Sequence, residues 1–298
     1  MKEIKLMDIK KILILGSGTL GLRIGLQAAI SGFKVCIYDL NDEILTSANK
    51  VQGKLLKSLA REGKIQEGDI HTILDRIDYT TNPELAASDA DFVSESVTED
   101  VAIKKQVWEQ FGKICPPQTV FTTNTSFLLP SMFAVHSGRP DKFCAFHFHD
   151  VFVANVVDIM PHTSTEQWVI DLLFEMGKKL KQTPVLIKKE YKGYIFNYIL
   201  MHILTSAGFL LSNDIGTIHD IDRSWMGNFN VPVGPFGMLD QIGLDTVWHV
   251  SKNNNAPNSQ EFAVLLKKYI DQGKLGIKTG EGFYSYPNPE YQRDGFVV

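Results

Sequence analysis

A glycine-rich turn between a short apolar run and an apolar helical pattern most constrains the fold of this chain. Residues 10–15 (KKILIL) predict a buried strand, residues 16–21 read GSGTLG, and residues 22–31 predict a helix. The next apolar run, residues 33–38, ends at Asp39. A glycine pattern alone is weakly informative, but the strand, the turn, the helix and the following acid together indicate a dinucleotide-binding βαβ unit.

Each residue type in the turn has a physical role in such a unit. The first glycine permits a tight turn, the second lets the backbone approach a pyrophosphate, and the third lets the helix lie close to the strand. The N-terminus of the helix then offers free N–H groups and a positive dipole end to phosphates. The residues predicted to bind the cofactor through this motif are Gly16, Gly18, Thr19, Leu20 and Gly21.

Asp39 is predicted to select the cofactor. Its carboxylate can accept hydrogen bonds from both ribose hydroxyls of an adenosine, and it would repel a 2′-phosphate. The next residues, Leu40 and Asn41, supply no arginine to accept such a phosphate. The pattern therefore favours NAD over NADP. The alternative is an ordinary glycine turn in a helix-on-sheet fold that binds no ligand.

Composition excludes several classes of partner. The chain has 298 residues and a formal net charge of −4, without a long basic run, so we expect neither nucleic acid nor a membrane as a partner. No apolar run reaches transmembrane length, and the charged N-terminal segment has no secretory core. These features predict a cytoplasmic protein. Its three cysteines, Cys36, Cys115 and Cys144, are too widely spaced for a disulfide framework or a metal knuckle.

The order of the patterns predicts two domains. Up to residue 189, short apolar runs alternate with helical patterns, which indicates a largely parallel, doubly wound sheet of Rossmann type with helices on both faces. Residues 41–75 predict a helical hairpin inserted in this α/β domain. From residue 190 onward strand signals disappear, and residues 190–298 predict an all-α C-terminal domain. Beyond the first two strands, the others are predicted at residues 77–80, 91–95, 120–124, 143–148, 156–160 and 183–187.

Four polar residues could carry chemistry beside the cofactor: Ser126, His147, Asp158 and Asn197. The first three lie at or near the ends of predicted strands, where ligands of open parallel sheets bind. A histidine there can act as general base toward an alcohol as hydride leaves for a nicotinamide. An aspartate on its other ring nitrogen would fix the tautomer, and Ser126 and Asn197 could donate hydrogen bonds to the substrate oxygen.

Each of these residues also has a structural alternative. A serine after Asn-Thr is often a helix cap, and an asparagine in an apolar helix is often a packing residue. His147 and His149 share a face of a regular strand, so with Asp150 and Asp158 they could form a metal site. No HxxxE motif or cysteine-rich companion supports that site, and hydride transfer to NAD needs no metal. We therefore expect no metal.

The ordered motifs GSGTLG, SESVTED, NTS, HFHD, GYIFN, GPFGMLDQIGLDT and KTGEGFY resemble the short, stand-alone form of the L-3-hydroxyacyl-CoA dehydrogenase family, the 3-hydroxybutyryl-CoA dehydrogenase type. The resemblance extends from the first predicted strand to about Tyr286. It implies an oxidoreductase of fatty acid β-oxidation that converts a 3-hydroxyacyl-CoA and NAD to the 3-oxoacyl-CoA and NADH. It also implies a homodimer formed through the helical domain.

The resemblance assigns roles to individual residues. His147 matches the catalytic base of the family, at the interval from Ser126 that the family shows. Asn197 matches a polar residue that the C-terminal domain lends to the substrate site. The positions that match contacts to the dinucleotide are Glu99, Lys104 and Lys278.

The chain also departs from the family pattern. The family usually reads HFFNP, whereas residues 147–151 read HFHDV, so Asp150 replaces an asparagine that contacts the cofactor. After a one-residue deletion, Asp158 takes the position of the glutamate that pairs with the histidine. On the predicted hairpin, Lys54 and Lys57 could contact the phosphates of coenzyme A, or could simply belong to a solvated helix face.

Two other functions stay open from the sequence. The same chemistry could act on a free 3-hydroxy acid or sugar acid instead of a thioester. In a different class, the chain could be an inactive NAD-binding regulator or structural protein, because a fold does not guarantee its activity. The joint presence of Ser126, His147, Asp158 and Asn197 argues against this second alternative.

Overall fold

A computed structural model of the protein describes residues 9–252 and 257–297. Its first part contains one eight-stranded sheet with the order β3-β2-β1-β4-β5-β6-β7-β8. Every neighbouring pair is parallel except β6 and β7, which are antiparallel. The strands are β1 Lys11–Leu15, β2 Lys34–Tyr38, β3 Ile77–Thr80, β4 Phe92–Glu95, β5 Val120–Thr123, β6 Phe143–Phe148, β7 Val156–Pro161 and β8 Thr183–Leu186. The predicted α/β class is confirmed.

The alternation of side chains along β1 explains why helices cover both faces of the sheet. Ile12 and Ile14 belong to one buried apolar cluster, and Leu13 and Leu15 belong to another. Because successive side chains of a strand point to opposite faces, a strand that is apolar throughout needs a cover on each side. The helices of this unit are α1 Thr19–Ile30, α2 Asp42–Arg61, α3 Ile70–Leu74, α4 Pro83–Ala87, α5 Val101–Ile114 and α6 Gln167–Lys179.

The predicted helical hairpin is unequal. Its first arm is the 20-residue helix α2, but its second arm is only a 3₁₀ turn followed by the five-residue α3. Asn41 caps α2 by accepting a hydrogen bond from the Glu43 N–H, and the buried Gln52 donates its amide to the Leu22 carbonyl of α1 at 2.7 Å. These two contacts fix where α2 begins and how it lies on α1. The helices α4 and α6 were not predicted.

The chain divides into two compact units, the first ending at Ile195 and the second beginning at Phe196. The second unit is helical in its described residues. Its helices are α7 Phe196–Ser212, α8 Ile218–Phe229, α9 Pro235–Ile242, α10 Leu244–Ser251 and α11 Ser259–Ile270. Across residues 9–252 and 257–297, no helix combines the length and apolar character needed to span a membrane.

Candidate active site

Of the three glycines in the turn, only Gly18 has open space where a side chain would begin. A Cβ atom on Gly16, where φ is +99°, would lie 2.7 Å from the Ser96 carbonyl oxygen, and one on Gly21 would lie 2.1 Å from the Gly16 carbonyl oxygen. A Cβ on Gly18 would meet nothing within 4 Å. Gly18 is also the N-cap of α1 and provides no side-chain cap. The N–H groups of Thr19 and its neighbours in the first turn are thus suited to an anion, and the turn fits a pyrophosphate.

Asp39 follows the carboxyl end of β2 and lies beside the glycine turn. Its Oδ2 atom accepts hydrogen bonds from the Ser17 N–H at 2.7 Å and the Ser17 hydroxyl at 2.6 Å. The sequence analysis did not identify Ser17 as a partner of Asp39. The adjacent Leu40 is exposed, and neither it nor Asn41 carries a cation for a 2′-phosphate.

Antiparallel pairing of β6 and β7 places His147 directly opposite Asp158. Opposed residues of an antiparallel pair project from the same face, so the two side chains meet. The Nδ1 atom of His147 lies 3.1 Å from Oδ2 of Asp158, and the two side chains are 3 % and 2 % exposed. His149, two residues further along the same chain, brings its Nε2 atom to 2.9 Å from the same Oδ2 atom. One carboxylate oxygen therefore contacts two imidazoles.

The ionisation of these groups follows from burial and hydrogen bonding. Burial lowers the pKa of His147 below its ordinary value, against the raising effect of its hydrogen bond to Asp158. Burial alone would raise the pKa of Asp158, but the hydrogen bonds from His147 and His149 outweigh it and hold that pKa below its ordinary value. Asp158 is thus a carboxylate that only accepts hydrogen bonds. His147 must then carry its proton on Nδ1, which leaves the Nε2 lone pair of the neutral ring available to accept a proton.

Two residues that the sequence analysis did not single out hold His147 in place. The side-chain oxygen of Asn124, in the NTS motif, accepts a hydrogen bond from the Phe148 N–H at 2.8 Å. The ring of Tyr194 lies 4.6 Å from the His147 ring, and the Tyr194 hydroxyl donates to the Thr125 carbonyl at 2.7 Å. Tyr194 lies in the quoted GYIFN motif, but its contact with His147 joins residues far apart in the sequence and has no local signal.

Glu99 lies against the loop that contains Ser126. One oxygen of its carboxylate accepts hydrogen bonds from the Thr125 hydroxyl, from the Ser126 N–H at 3.0 Å and from the Phe127 N–H at 3.2 Å. Burial would raise the pKa of Glu99, but the nearby Lys104 ammonium and these donors hold it below the ordinary value. In this structure Glu99 therefore fixes the backbone beside Ser126.

Lys104 is fully buried. Its ammonium lies 2.6 Å from Oε1 of the equally buried Glu95, 3.2 Å from the Val97 carbonyl oxygen and 3.3 Å from Oε2 of Glu99. Glu95 also accepts the Thr123 hydroxyl at 2.7 Å. The positive charge of Lys104 is therefore paired with carboxylates of the protein itself. The sequence analysis did not identify Glu95 as its partner.

Of the other predicted site residues, three belong to the first unit and two to the second. Asp150 pairs with Arg23 of α1 and accepts the Phe152 N–H at 3.0 Å, and Lys54 and Lys57 are exposed on α2. In the second unit, Asn197 is the second residue of α7, and Lys278 bonds both oxygens of Asp245 at 2.6 Å.

The set of His147, His149 and Asp158 also has the composition of a metal site. One donor atom from each residue lies within 4.8 Å of the other two. The contacts of the two imidazoles with Oδ2 are ordinary hydrogen-bond lengths and account for the arrangement without an ion.

Comparison with known proteins assigns the chain to a family. Residues 11–191 match "3-hydroxyacyl-CoA dehydrogenase, NAD binding domain" and residues 193–286 match "3-hydroxyacyl-CoA dehydrogenase, C-terminal domain". A probable 3-hydroxybutyryl-CoA dehydrogenase of Bacillus subtilis (strain 168) is 31% identical, over 94% of this chain and 98% of that protein. The chain belongs to the 3-hydroxyacyl-CoA dehydrogenase family and is an oxidoreductase that acts on a CH–OH group. The resemblance stated from its motifs is confirmed.

Two solved structures have closely similar folds. A diketoreductase has a TM-score of 0.86 and 37% identity, with 93% of this chain and 99% of that chain covered. The (S)-3-hydroxybutyryl-CoA dehydrogenase PaaH1 from Ralstonia eutropha has a TM-score of 0.85 and 27% identity, with 94% and 100% covered.

Proposed function

We propose that this protein oxidises a 3-hydroxyacyl-CoA to the 3-oxoacyl-CoA with NAD, and catalyses the reverse reduction, with His147 as general base. The observation that carries the proposal is the 3.1 Å contact between His147 Nδ1 and Asp158 Oδ2. Relatives named 3-hydroxybutyryl-CoA dehydrogenase support an acyl-CoA substrate. When bound, NAD supplies the hydride acceptor.

In the oxidation direction, His147 Nε2 takes the proton of the substrate hydroxyl. The electron pair of the C3–H bond leaves with the hydrogen as hydride, and the C3–O bond becomes a carbonyl. Asp158 stabilises the imidazolium that forms and keeps the ring in one tautomer. The Ser126 hydroxyl, in the loop fixed by Glu99, donates a hydrogen bond to the reacting oxygen. Asn197 remains a predicted second donor.

The first experiment compares substrates. NADH oxidation is measured with acetoacetyl-CoA and with free acetoacetate, for the wild type and for His147→Gln. We expect turnover of the thioester and a loss of about 100-fold or more in His147→Gln, the range of general base catalysis. NADH binding, followed by fluorescence, should be largely retained. Binding of NADH without turnover of any 3-oxo substrate would favour the inactive regulator.

Cofactor choice is proposed to depend on Asp39. The wild type should strongly prefer NAD(H), since the Asp39 carboxylate accepts hydroxyl donors and repels a phosphate. Replacing Asp39 by serine and Leu40 by arginine should shift the ratio of kcat/KM toward NADP(H) by about tenfold or more, the worth of one charge-assisted hydrogen bond. Equal use of both cofactors by the wild type would remove the role assigned to Asp39.

A second candidate function is the reduction of a dicarbonyl compound that carries no coenzyme A. The observation that favours it is the 37% identity to a diketoreductase, against 27% to the solved 3-hydroxybutyryl-CoA dehydrogenase. His147 and Asp158 would perform the same proton transfer. A dicarbonyl compound without coenzyme A that is reduced with higher kcat/KM than acetoacetyl-CoA would establish this function instead.

A homodimer through the second unit is also proposed. Its described surface exposes large apolar side chains, including Ile199, Ile215 and Phe229. A cavity of about 840 Å³, lined in part by Leu210 and Trp225, lies in the same unit. Light scattering should give twice the chain mass of 33.5 kDa. A monomer at micromolar concentration would contradict this proposal.

A further inference from the structure

The strand geometry gives Asp158 a second imidazole partner. Side chains at positions i and i+2 of a strand project from the same face, and β6 carries His147 opposite Asp158. His149 follows the last residue of β6 and reaches the same side. Its ring centroid lies 4.7 Å from that of His147, at 69°. Both rings approach a single oxygen, at 3.1 Å and 2.9 Å.

This arrangement fixes where both protons lie. An ionised carboxylate offers no hydrogen, so each contact of normal length requires a proton on the imidazole nitrogen. His147 therefore donates from Nδ1, and His149 donates from Nε2. His149 is only 12 % exposed, so water screens its contact with Asp158 little.

We infer that His149 is a positioning residue that holds the Asp158 carboxylate at the oxygen it shares with His147 and weakens the stabilisation that Asp158 gives to protonated His147. The inference rests on the proposed function, in which His147 is the base. A carboxylate oxygen that already accepts one N–H bond is a poorer acceptor for another. The imidazolium of His147 is then less stabilised than it would be if Asp158 accepted a hydrogen bond from His147 alone. His147 therefore remains neutral, and able to accept a proton, at lower pH.

Three other groups act on the protonation of His147 and are retained when His149 is replaced. They are Asp158 from β7, the phenol of Tyr194, and Glu99, whose charge favours the protonated ring. The neighbouring His149 imidazole acts in the opposite direction and lowers the pKa of His147. Replacing His149 therefore isolates one contribution to the proton affinity of the base.

The test compares His149→Phe, which keeps a ring of similar size but removes the N–H donor, with His149→Gln, whose amide N–H can restore a donor. The readout is the pH dependence of kcat/KM for oxidation. In His149→Phe the acid limb should move to higher pH by about half a unit or more, as expected for the loss of a hydrogen bond to the Asp158 carboxylate. His149→Gln should return most of the shift.

His136→Phe is the matched control. It removes another histidine–carboxylate contact of the same unit, between His136 Nδ1 and Glu109 at 2.7 Å, and should leave the profile unchanged. The ¹⁵N chemical shifts of His147, titrated in the unliganded protein, measure its pKa independently of turnover. They remain informative for any variant that folds, and His149→Gln provides a second variant if His149→Phe does not.

The outcomes separate the inference from the proposed function. An unshifted profile and an unshifted His147 titration in His149→Phe would overturn the role of His149 and leave His147 as base. An inactive His149→Phe beside an active His147→Gln would make His149 the base and overturn both. Full activity in His147→Gln and in His149→Phe would overturn the proposed function itself.

Discussion

Two buried aspartates, one in each compact unit, contact different kinds of donor. In the first unit, Asp158 accepts hydrogen bonds from the side chains of His147 and His149. Both donors are imidazole rings, the side chains that proteins most often use for proton transfer. They hold the pKa of Asp158 below its ordinary value, although burial alone would raise it. Its charge is therefore available to stabilise a proton on a neighbouring ring.

In the second unit, Asp240 accepts hydrogen bonds mainly from the backbone. The Phe283 N–H lies 2.8 Å from Oδ1, the Tyr284 N–H lies 2.9 Å from Oδ2, and the Tyr286 hydroxyl lies 3.1 Å from Oδ2. Burial raises the pKa of Asp240 to about 6, since these neutral donors compensate only part of the lost hydration. Asp240 holds a turn in place, so burial by itself does not identify a catalytic carboxylate.

The largest effect that would sharpen this comparison is the loss of the Asp158 charge. In Asp158→Asn the ring of His147 loses the acceptor that selects its tautomer and stabilises its protonated form. We expect kcat/KM for oxidation to fall by about 100-fold or more, and the acid limb to move to lower pH. The pH–rate profile measures both effects. NADH binding and the melting temperature are the controls. Wild-type kinetics in this variant would show that the charge of Asp158 plays no part in the reaction and does not set it apart from Asp240.

The second prediction concerns Asp240, whose contribution depends on pH in a definite direction. A carboxyl whose pKa is raised on folding binds its proton more tightly in the folded state, so its stabilising effect is fully present below the unfolded pKa and is lost as pH rises through the folded pKa. For Asp240 the window runs from 3.8 to about 6. Across it, the free energy of unfolding of the wild type should fall by about 2 kcal/mol relative to Asp240→Asn.

Urea unfolding of both proteins at several pH values from 4 to 7 measures this difference. Asp240→Asn should also be less stable than the wild type throughout, because the amide offers a donor where the Tyr284 N–H needs an acceptor. The midpoint of the pH–rate profile should not move. A difference in free energy that stays constant with pH would show that Asp240 is ionised at every pH tested, as Asp158 is.

The sheet was predictable from the sequence because strands such as β1, β2 and β6 are nearly continuous apolar runs and the others are short runs rich in β-branched or aromatic residues. The antiparallel pairing of β6 and β7 could also have been predicted, from the length of their connection. Residues 149–155 connect the two strands, and a parallel crossover needs a dozen or more residues. The short α4 lacks enough turns to show a helical period, and a single turn of helix is marginal without tertiary contacts.

Only the parts of the site that depend on strand period and register were predictable from the sequence. The period of two places His147 and His149 on one face, and the antiparallel register places Asp158 opposite His147. The position of Tyr194 on the His147 ring and of Glu99 on the loop of Ser126 depends on contacts between segments remote in sequence. Such contacts follow from how loops pack on the finished sheet, which no local pattern encodes.

The smallest predicted effect extends the comparison to charges on the protein surface. Lys54 and Lys57 lie on the exposed side of α2, where water and salt screen their charges, unlike those of the buried aspartates. If they contact the phosphates of coenzyme A, the double variant Lys54→Glu/Lys57→Glu should raise KM for acetoacetyl-CoA several-fold, because an exposed ion pair contributes up to about 1 kcal/mol. Its kcat should hardly change, the pattern of lost uniform binding.

KM for a dicarbonyl substrate without coenzyme A should not move, nor should any parameter of the matched control Lys178→Glu/Lys179→Glu on α6. The effect on the thioester should fade as salt is added. An unchanged KM for both substrates would make this face of α2 an ordinary solvated surface, and the diketoreductase function would gain support.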